Sequence, residues 1–135
     1  MRSAKVLLVE DDADVREMLQ EILELETTVH FEVMACEHGA QAIYALREHM
    51  LEPDLIVSDI QMPVMNGYEL LAAVRSETFW QHIPILFVTV LYSELEIHRA
   101  RQMGIRDYIV KPFTVPKFLQ AVHTQLEGCP TYRVK

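Results

Sequence analysis

Four short stretches of this 135-residue chain carry residues able to do chemistry together. The run Pro53-Asp54-Leu55-Ile56-Val57-Ser58 climbs to one carboxylate, Asp59, and breaks at once into turn residues, Pro63 and Asn66-Gly67. A buried strand ending in an acid puts that acid at the carboxyl edge of a sheet, where open α/β folds place their chemistry. Taken singly, Asp59 is a nucleophile, a metal ligand or a plain turn aspartate, a residue common at strand exits. Its company narrows this. Val6-Leu7-Leu8-Val9 runs into Glu10-Asp11-Asp12, Ile85-Leu86-Phe87-Val88 into Thr89, and Tyr108-Ile109-Val110 into Lys111. Singly these are a solvated helix start, a strand-end hydroxyl and a charged turn before Pro112. Together, at the ends of parallel strands, they lie side by side. Crowded carboxylates repel and raise one another's pKa values, and a divalent cation removes that cost. Oxygen-only ligands with room for water suit Mg²⁺. Lys111 can offset the charge of an incoming anion and Thr89 can donate a hydrogen bond to it. The set describes a phosphoryl group on Asp59 with Mg²⁺ beside it, a carboxylate acting as nucleophile and the protein supplying placement and charge neutralisation.

The elements that must position these residues follow from periodicity. Apolar residues at i, i+3, i+4, i+7 (Val15, Met18, Leu19, Ile22) mark a first helix, with Asp12 and Asp14 at the positive end of its dipole. Phe31-Glu32-Val33-Met34-Ala35 alternates and reads as an edge strand. Ala42, Ile43, Leu46 and Met50 mark a second helix, and Leu70, Leu71 and Val74 a third. Ser93-Glu94-Leu95-Glu96 predicts a capping box opening a fourth helix, closed by Gly104, with a thin apolar stripe of Ile97, Ala100 and Met103. Thr114 caps a fifth, with Phe118, Leu119, Val122 and Leu126 inward and Gly128 past its end. Five strands alternating with five helices predict a parallel sheet covered on both faces.

Composition bounds the rest. An apolar content of 50% and a charged content of 24% are those of an ordinary globular domain. No apolar run reaches the ~20 residues of a membrane span, and no secretory signal is expected from the start, Met1-Arg2-Ser3-Ala4-Lys5. A net charge of −8 disfavours nucleic acid and acidic membrane surfaces and favours a cation as partner. Cys36 and Cys129 match no metal or redox spacing, which points to a reducing cytoplasm. The histidines at 30, 38, 49, 82, 98 and 123 form no i, i+4 pair, so no zinc site is expected. One domain over residues 1–128 and a tail over 129–135, with no output domain, is the expected organisation.

From Ala4 to Glu127 the chain resembles the receiver domain of bacterial two-component response regulators, the single-domain, chemotaxis-regulator-like kind. The resemblance rests on Val6 to Arg16 with the acidic pair Glu10-Asp11, on Pro53 to Asp59 with Met62-Pro63 and Met65-Asn66-Gly67, on Pro84 to Thr89, and on Asp107 to Phe113. It implies a flavodoxin-like (βα)5 fold with strand order 2-1-3-4-5. It implies that Asp59 accepts phosphate from the histidine of a sensor kinase in a phosphorelay. Asp11 and Asp59 would ligate Mg²⁺ directly, Glu10 through water, and Gln61 through its backbone carbonyl. Thr89 and Lys111 would bond phosphoryl oxygens, and a cis bond would precede Pro112. Tyr108 would be the aromatic switch residue that moves inward with Thr89. The thin stripe of the fourth helix suits an element that moves.

Other chemistries need residues this chain lacks. A haloacid-dehalogenase-type phosphatase needs a second acid where Gln61 stands. A flavodoxin needs a phosphate loop where Glu10-Asp11-Asp12 would repel phosphate, and a dinucleotide fold needs G-x-G-x-x-G. A non-phosphorylated pseudo-receiver acting as a binding module typically lacks the acceptor or the lysine, and both are present. The implied partners are a sensor histidine kinase or histidine phosphotransfer protein, and a downstream target reached through the fourth helix and fifth strand. A relay intermediate and a homodimer are further readings. Catalysis would extend to its own phosphorylation and dephosphorylation, not to turnover of a separate substrate.

The chain departs from the family at Val90, where a small residue is usual after the threonine. Leu91 and Tyr92 follow, making an unusually apolar loop. A branched side chain beside Asp59 narrows access to small donors and to water. Val90→Ala is expected to raise both the rate of phosphorylation by acetyl phosphate and the rate of phosphate loss. Unchanged rates in both assays would remove that role from Val90.

Overall fold

The computed structural model describes residues 2–49 and 52–127. Met50, Cys129, Gly128 and the expected tail lie outside those residues. Strands and helices alternate as read: β1 (Arg2–Val9), α1 (Ala13–Glu24), β2 (Val29–Cys36), α2 (Gly39–Glu48), β3 (Leu55–Ser58), α3 (Gly67–Ser76), β4 (Ile85–Thr89), α4 (Glu94–Gln102), β5 (Tyr108–Val110) and α5 (Val115–Leu126). The sheet is parallel throughout in the order β2-β1-β3-β4-β5. β2 is an edge, and its first half alternates between buried and exposed positions.

Burial on both faces explains why β1, β3 and β4 are almost wholly apolar. Successive side chains of a strand point to opposite faces. Leu7 and Val9 of β1 therefore join Ile56, Phe87 and the inner sides of α2 and α3. Val6 and Leu8 join Val57, Val88 and the inner sides of α1 and α5. Register levels the strand ends: Val9 pairs with Ser58, Ser58 with Phe87, and Thr89 with Val110. β1 pairs with β2 at eight positions, β4 with β5 at only three.

Three expectations change. Met18, placed on the buried face of α1, is 44% exposed, and Leu23 is fully buried instead. The inward stripe runs through Val15, Leu19, Ile22 and Leu23, a slightly different side of the cylinder. Asn66-Gly67, read as a turn, is the start of α3. Asn66 is its N-cap, and its side chain and that of Glu69 exchange bonds with each other's backbone N–H in a complete capping box. The capping box expected at Ser93 is only half formed: Ser93 Oγ accepts from the Glu96 N–H at 3.2 Å, while the Glu96 carboxylate bonds Tyr68 instead.

The other ends are closed as their residues suggest. Gly104 (φ 88°) donates to the Arg101 carbonyl at 3.0 Å, and Ile105 donates to Ala100 at 3.0 Å. That is the Schellman ending, which needs the left-handed conformation glycine adopts freely. Thr114 caps α5 by accepting from the Lys117 N–H. Ala121 joins Phe118, Val122 and Leu126 on the buried side, and Leu119 packs at its margin. The Lys111–Pro112 bond is cis.

The loop after β3 holds one strained residue. Val64 has φ 69°, and Met65 N–H donates to the Pro63 carbonyl at 2.7 Å, closing a three-residue γ-turn. A β-branched residue there costs of the order of 1–3 kcal/mol. Its side chain is 77% exposed and returns little. Asn tolerates this region far better than Val. Val64→Asn is therefore expected to stabilise the fold by about 1 kcal/mol, seen as a rise in Tm of about 3–5 °C; a fall in Tm would show that no strain is stored there.

Candidate functional site

Asp59 follows β3 directly and is oriented by backbone. Its N–H donates to the Val9 carbonyl at 3.1 Å, its Oδ1 accepts from the Ile60 N–H at 2.6 Å, and the more distant Gln61 N–H lies 3.4 Å from the same oxygen. Ser58, fully buried, donates from Oγ to the Asp59 carbonyl at 2.7 Å. The other carboxylate oxygen, Oδ2, faces Lys111 Nζ at 3.0 Å. Gly67 lets α3 begin against this turn. A Cβ there would stand 2.5 Å from the Asp59 carbonyl oxygen and 2.8 Å from Ile60 Cα, both of them backbone. The glycine is therefore required by close approach.

Glu10 sits one residue past β1 and is 1% exposed. Its Oε1 meets Lys111 Nζ at 2.5 Å, its Oε2 accepts from the Asp12 N–H at 3.4 Å, and its carbonyl accepts from Arg16 at 2.8 Å. Burial above all, with repulsion from Asp59, pushes the Glu10 carboxyl upward against the opposing pull of Lys111. Burial would depress the Lys111 ammonium, but its bonds to Glu10 and Asp59 outweigh that and hold it above its ordinary value. One cation thus bridges two buried anions.

Asp11 is exposed. Carboxylate oxygens of Glu10, Asp11 and Asp59 all lie within 4.8 Å of one another, a set that can hold a metal ion. The donors are oxygens only, two buried and one open to solvent, which is the chemistry of a hard cation keeping water ligands. Asp12 is not a member of this set. Its side chain accepts from the N–H groups of Asp14 and Val15 as the N-cap of α1, so the acidic run divides its labour between helix and site.

Thr89 ends β4 fully buried. Its Oγ1 accepts from the Leu91 N–H at 3.3 Å, and its carbonyl accepts from the Lys111 N–H at 2.8 Å. Tyr108 is half-buried, and its hydroxyl donates to the Leu91 carbonyl. Leu91 is thus held from both ends. Burial first, then the charges of Glu96 and Asp59, push the Tyr108 phenol upward and keep it a donor. Val90 is 51% exposed beside Thr89. Gln61 is exposed and lines, with Asp11, Met62 and Leu91, a cleft of about 480 Å³.

The structure therefore brings Glu10, Asp11, Asp59 and Lys111 together, with Thr89 and Tyr108 joined through Leu91. Sequence reading gave no part in the site or its surroundings to Ser58, Tyr68, Glu96 or Arg99. Ser58 had a signal, a hydroxyl in an otherwise apolar strand. The other three meet only across two helices, and no spacing announces them.

Removing Lys111 would leave two buried carboxylates without their cation, a loss of about 3 kcal/mol for a broken buried pair. Lys111→Met is expected to lower the urea midpoint in chelator and to recover most of the loss when millimolar Mg²⁺ is added. Equal stability with and without Mg²⁺ would separate the carboxylates from cation binding.

Comparison with known proteins agrees with this geometry. The family model described as the response regulator receiver domain matches residues 6–123. The polar-differentiation response regulator DivK of Brucella anthropi is 31% identical over 121 residues, which span 90% of this chain and 94% of that relative. The chemotaxis protein CheY4 of Vibrio cholerae superposes with a TM-score of 0.82 at 31% identity, over 92% of this chain and 99% of that one. The signal receiver domain of a signal transduction histidine kinase from Syntrophus aciditrophicus gives 0.82 at 29%, over 98% and 95%. With strand order, strand-end acids and sequence in accord, this chain belongs to the response regulator receiver domains, the phosphorelay modules of two-component signalling.

Proposed function

We propose that Asp59 is the phosphoacceptor of this receiver and that Glu10, Asp11, Asp59 and the Gln61 backbone carbonyl hold Mg²⁺. The observation that carries this reading is the convergence of three carboxylates within 4.8 Å on a lysine that bonds two of them. Bound Mg²⁺ supplies positive charge to the phosphoryl oxygens. Everything else comes from the chain. Loop amides fix the Asp59 carboxylate, so it meets phosphorus already oriented. An Asp59 oxygen forms the new P–O bond while the P–N bond of a phosphohistidine breaks and its imidazole leaves with the electron pair. Lys111, already positioned beside Oδ2, turns to the arriving phosphoryl oxygens. Thr89 Oγ1 accepts from Leu91, so its O–H is the bond it offers the phosphoryl group.

When Thr89 turns to the phosphoryl group, the Leu91 amide loses its acceptor, and the loop that also holds Tyr108 is free to move. Tyr108 is the switch residue on this reading. The phosphoryl source is a sensor histidine kinase or histidine phosphotransfer protein. The signal leaves through α4 and β5 to a target protein, a surface whose apolar Tyr92 and Leu95 are 73% and 77% exposed. Such exposed residues suit docking to a target or to a second copy. We place the protein in the cytoplasm, supported by the free, buried Cys36 thiol. Among the described residues no helix is long and apolar enough to cross a membrane.

Acetyl phosphate is expected to label the protein only with Mg²⁺ present, and Asp59→Asn is expected to abolish the label. Labelling that persists in Asp59→Asn would place the acceptor elsewhere.

A further inference from the structure

The fourth helix is the least anchored of the five. Among its residues only Ala100 is fully buried, whereas α2 and α3 each bury five. Apolar burial scales with area, and one alanine contributes little of it. Its hold on the body is polar and aromatic. Tyr68, buried in the first turn of α3, packs edge-on against Phe87 with centroids 5.6 Å apart. Its hydroxyl donates to Glu96 Oε2 at 2.8 Å. The Arg99 guanidinium carbon lies 4.1 Å from the Tyr68 ring centroid. Glu96 and Arg99 are three residues apart and share a helix face, so α4 closes a carboxylate and a guanidinium on one tyrosine of α3.

Glu96 has a second place to go. Ser93 caps α4 and accepts from the Glu96 N–H, and a complete capping box would send the Glu96 carboxylate back to the Ser93 N–H. The equivalent pair in α3 does this, with Asn66 N–H donating to Glu69 Oε1 at 3.0 Å and Glu69 N–H to Asn66 Oδ1 at 2.8 Å. In α4 the same parts are present and the carboxylate is spent on Tyr68.

We propose that Glu96 is a two-position residue that gates the fourth helix. Gripping Tyr68, it holds α4 against α3. Closing the capping box on Ser93, it releases α4 while keeping the helix end satisfied. One hydrogen bond to a carboxylate replaces another, so the two positions lie close in energy and a modest pull decides between them. The inference rests on the reading of Asp59 as phosphoacceptor and supplies the regulation of that site. The pull reaches Glu96 through the loop before it. Leu91 is bonded to Thr89 and Tyr108. Tyr108 packs edge-on against Phe87 at 6.3 Å, and Phe87 against Tyr68. Drawing the Thr89 hydroxyl onto a phosphoryl group loosens Leu91 and the ring stack together. The cleft that runs from Asp11 to Glu96 and Arg99 leaves room for the movement.

Tyr68→Phe removes the hydroxyl and keeps both ring contacts. In the unphosphorylated variant the Ser93 amide is expected to exchange with deuterium about fivefold more slowly, the size of one capping bond. Labelling of Asp59 by acetyl phosphate should rise severalfold. Adding Glu96→Ala should abolish the Ser93 protection. Glu96→Gln alone, which keeps an acceptor for Tyr68, should leave both readouts near those of the unaltered protein. Unchanged Ser93 exchange in Tyr68→Phe, or slowing that survives Glu96→Ala, overturns the two-position role. Protection without faster labelling overturns its link to Asp59. The exchange readouts need no phosphate, so they stand or fall apart from the Asp59→Asn test.

Discussion

The bridge from Lys111 to Glu10 and Asp59 is the interaction on which the site depends. Two buried carboxylates at one sheet edge repel strongly in a low-dielectric setting, and this fold places them on adjacent strands. β1 and β3 are in register so that Val9 pairs with Ser58, which sets Glu10 and Asp59 side by side. The ammonium that reconciles them comes from beyond the far edge of the sheet, after β5. The site can assemble only when β1, β3, β4 and β5 are all in order.

The backbone around Asp59 is arranged to keep that carboxylate still. Ser58 ties down its carbonyl, the next amide holds Oδ1, and Gly67 lets a helix start in van der Waals contact with the turn. A flexible acid would pay orientation entropy each time it reacted. This one is set by groups belonging to the fold, and the same loop also carries the strained Val64. Rigidity at Asp59 contrasts with the light anchoring of α4 a short distance away.

Much of this was legible in the residues. Apolar runs ending in Glu10, Asp59, Thr89 and Lys111 identified the strands and their reactive ends, because strand burial and strand exit are local properties. The helix stripes were legible except at Met18, where seven residues of period fit two neighbouring faces and only packing chooses Leu23. Asn66-Gly67 looked like a turn because the same residue types serve as helix cap and tight bend. Ser93 to Glu96 looked like a full capping box because the competitor for Glu96 is Tyr68, twenty-eight positions away. Local rules failed wherever a side chain had two satisfactory partners and tertiary contact made the choice.

The unequal pairing along the sheet has a mechanical meaning. β1 and β2 are zipped over eight positions, while β5 is held to β4 by three and, among the described residues, is the last strand of the sheet. Opening free energy varies across a fold with such differences. The half bearing β2 and α1 has the longer pairing, so local opening is expected to begin at β5 rather than there. By its pairing the sheet is built less as a uniform block than as an anvil with a short leaf fixed to one side, and Asp59, at the end of the middle strand β3, stands between the two.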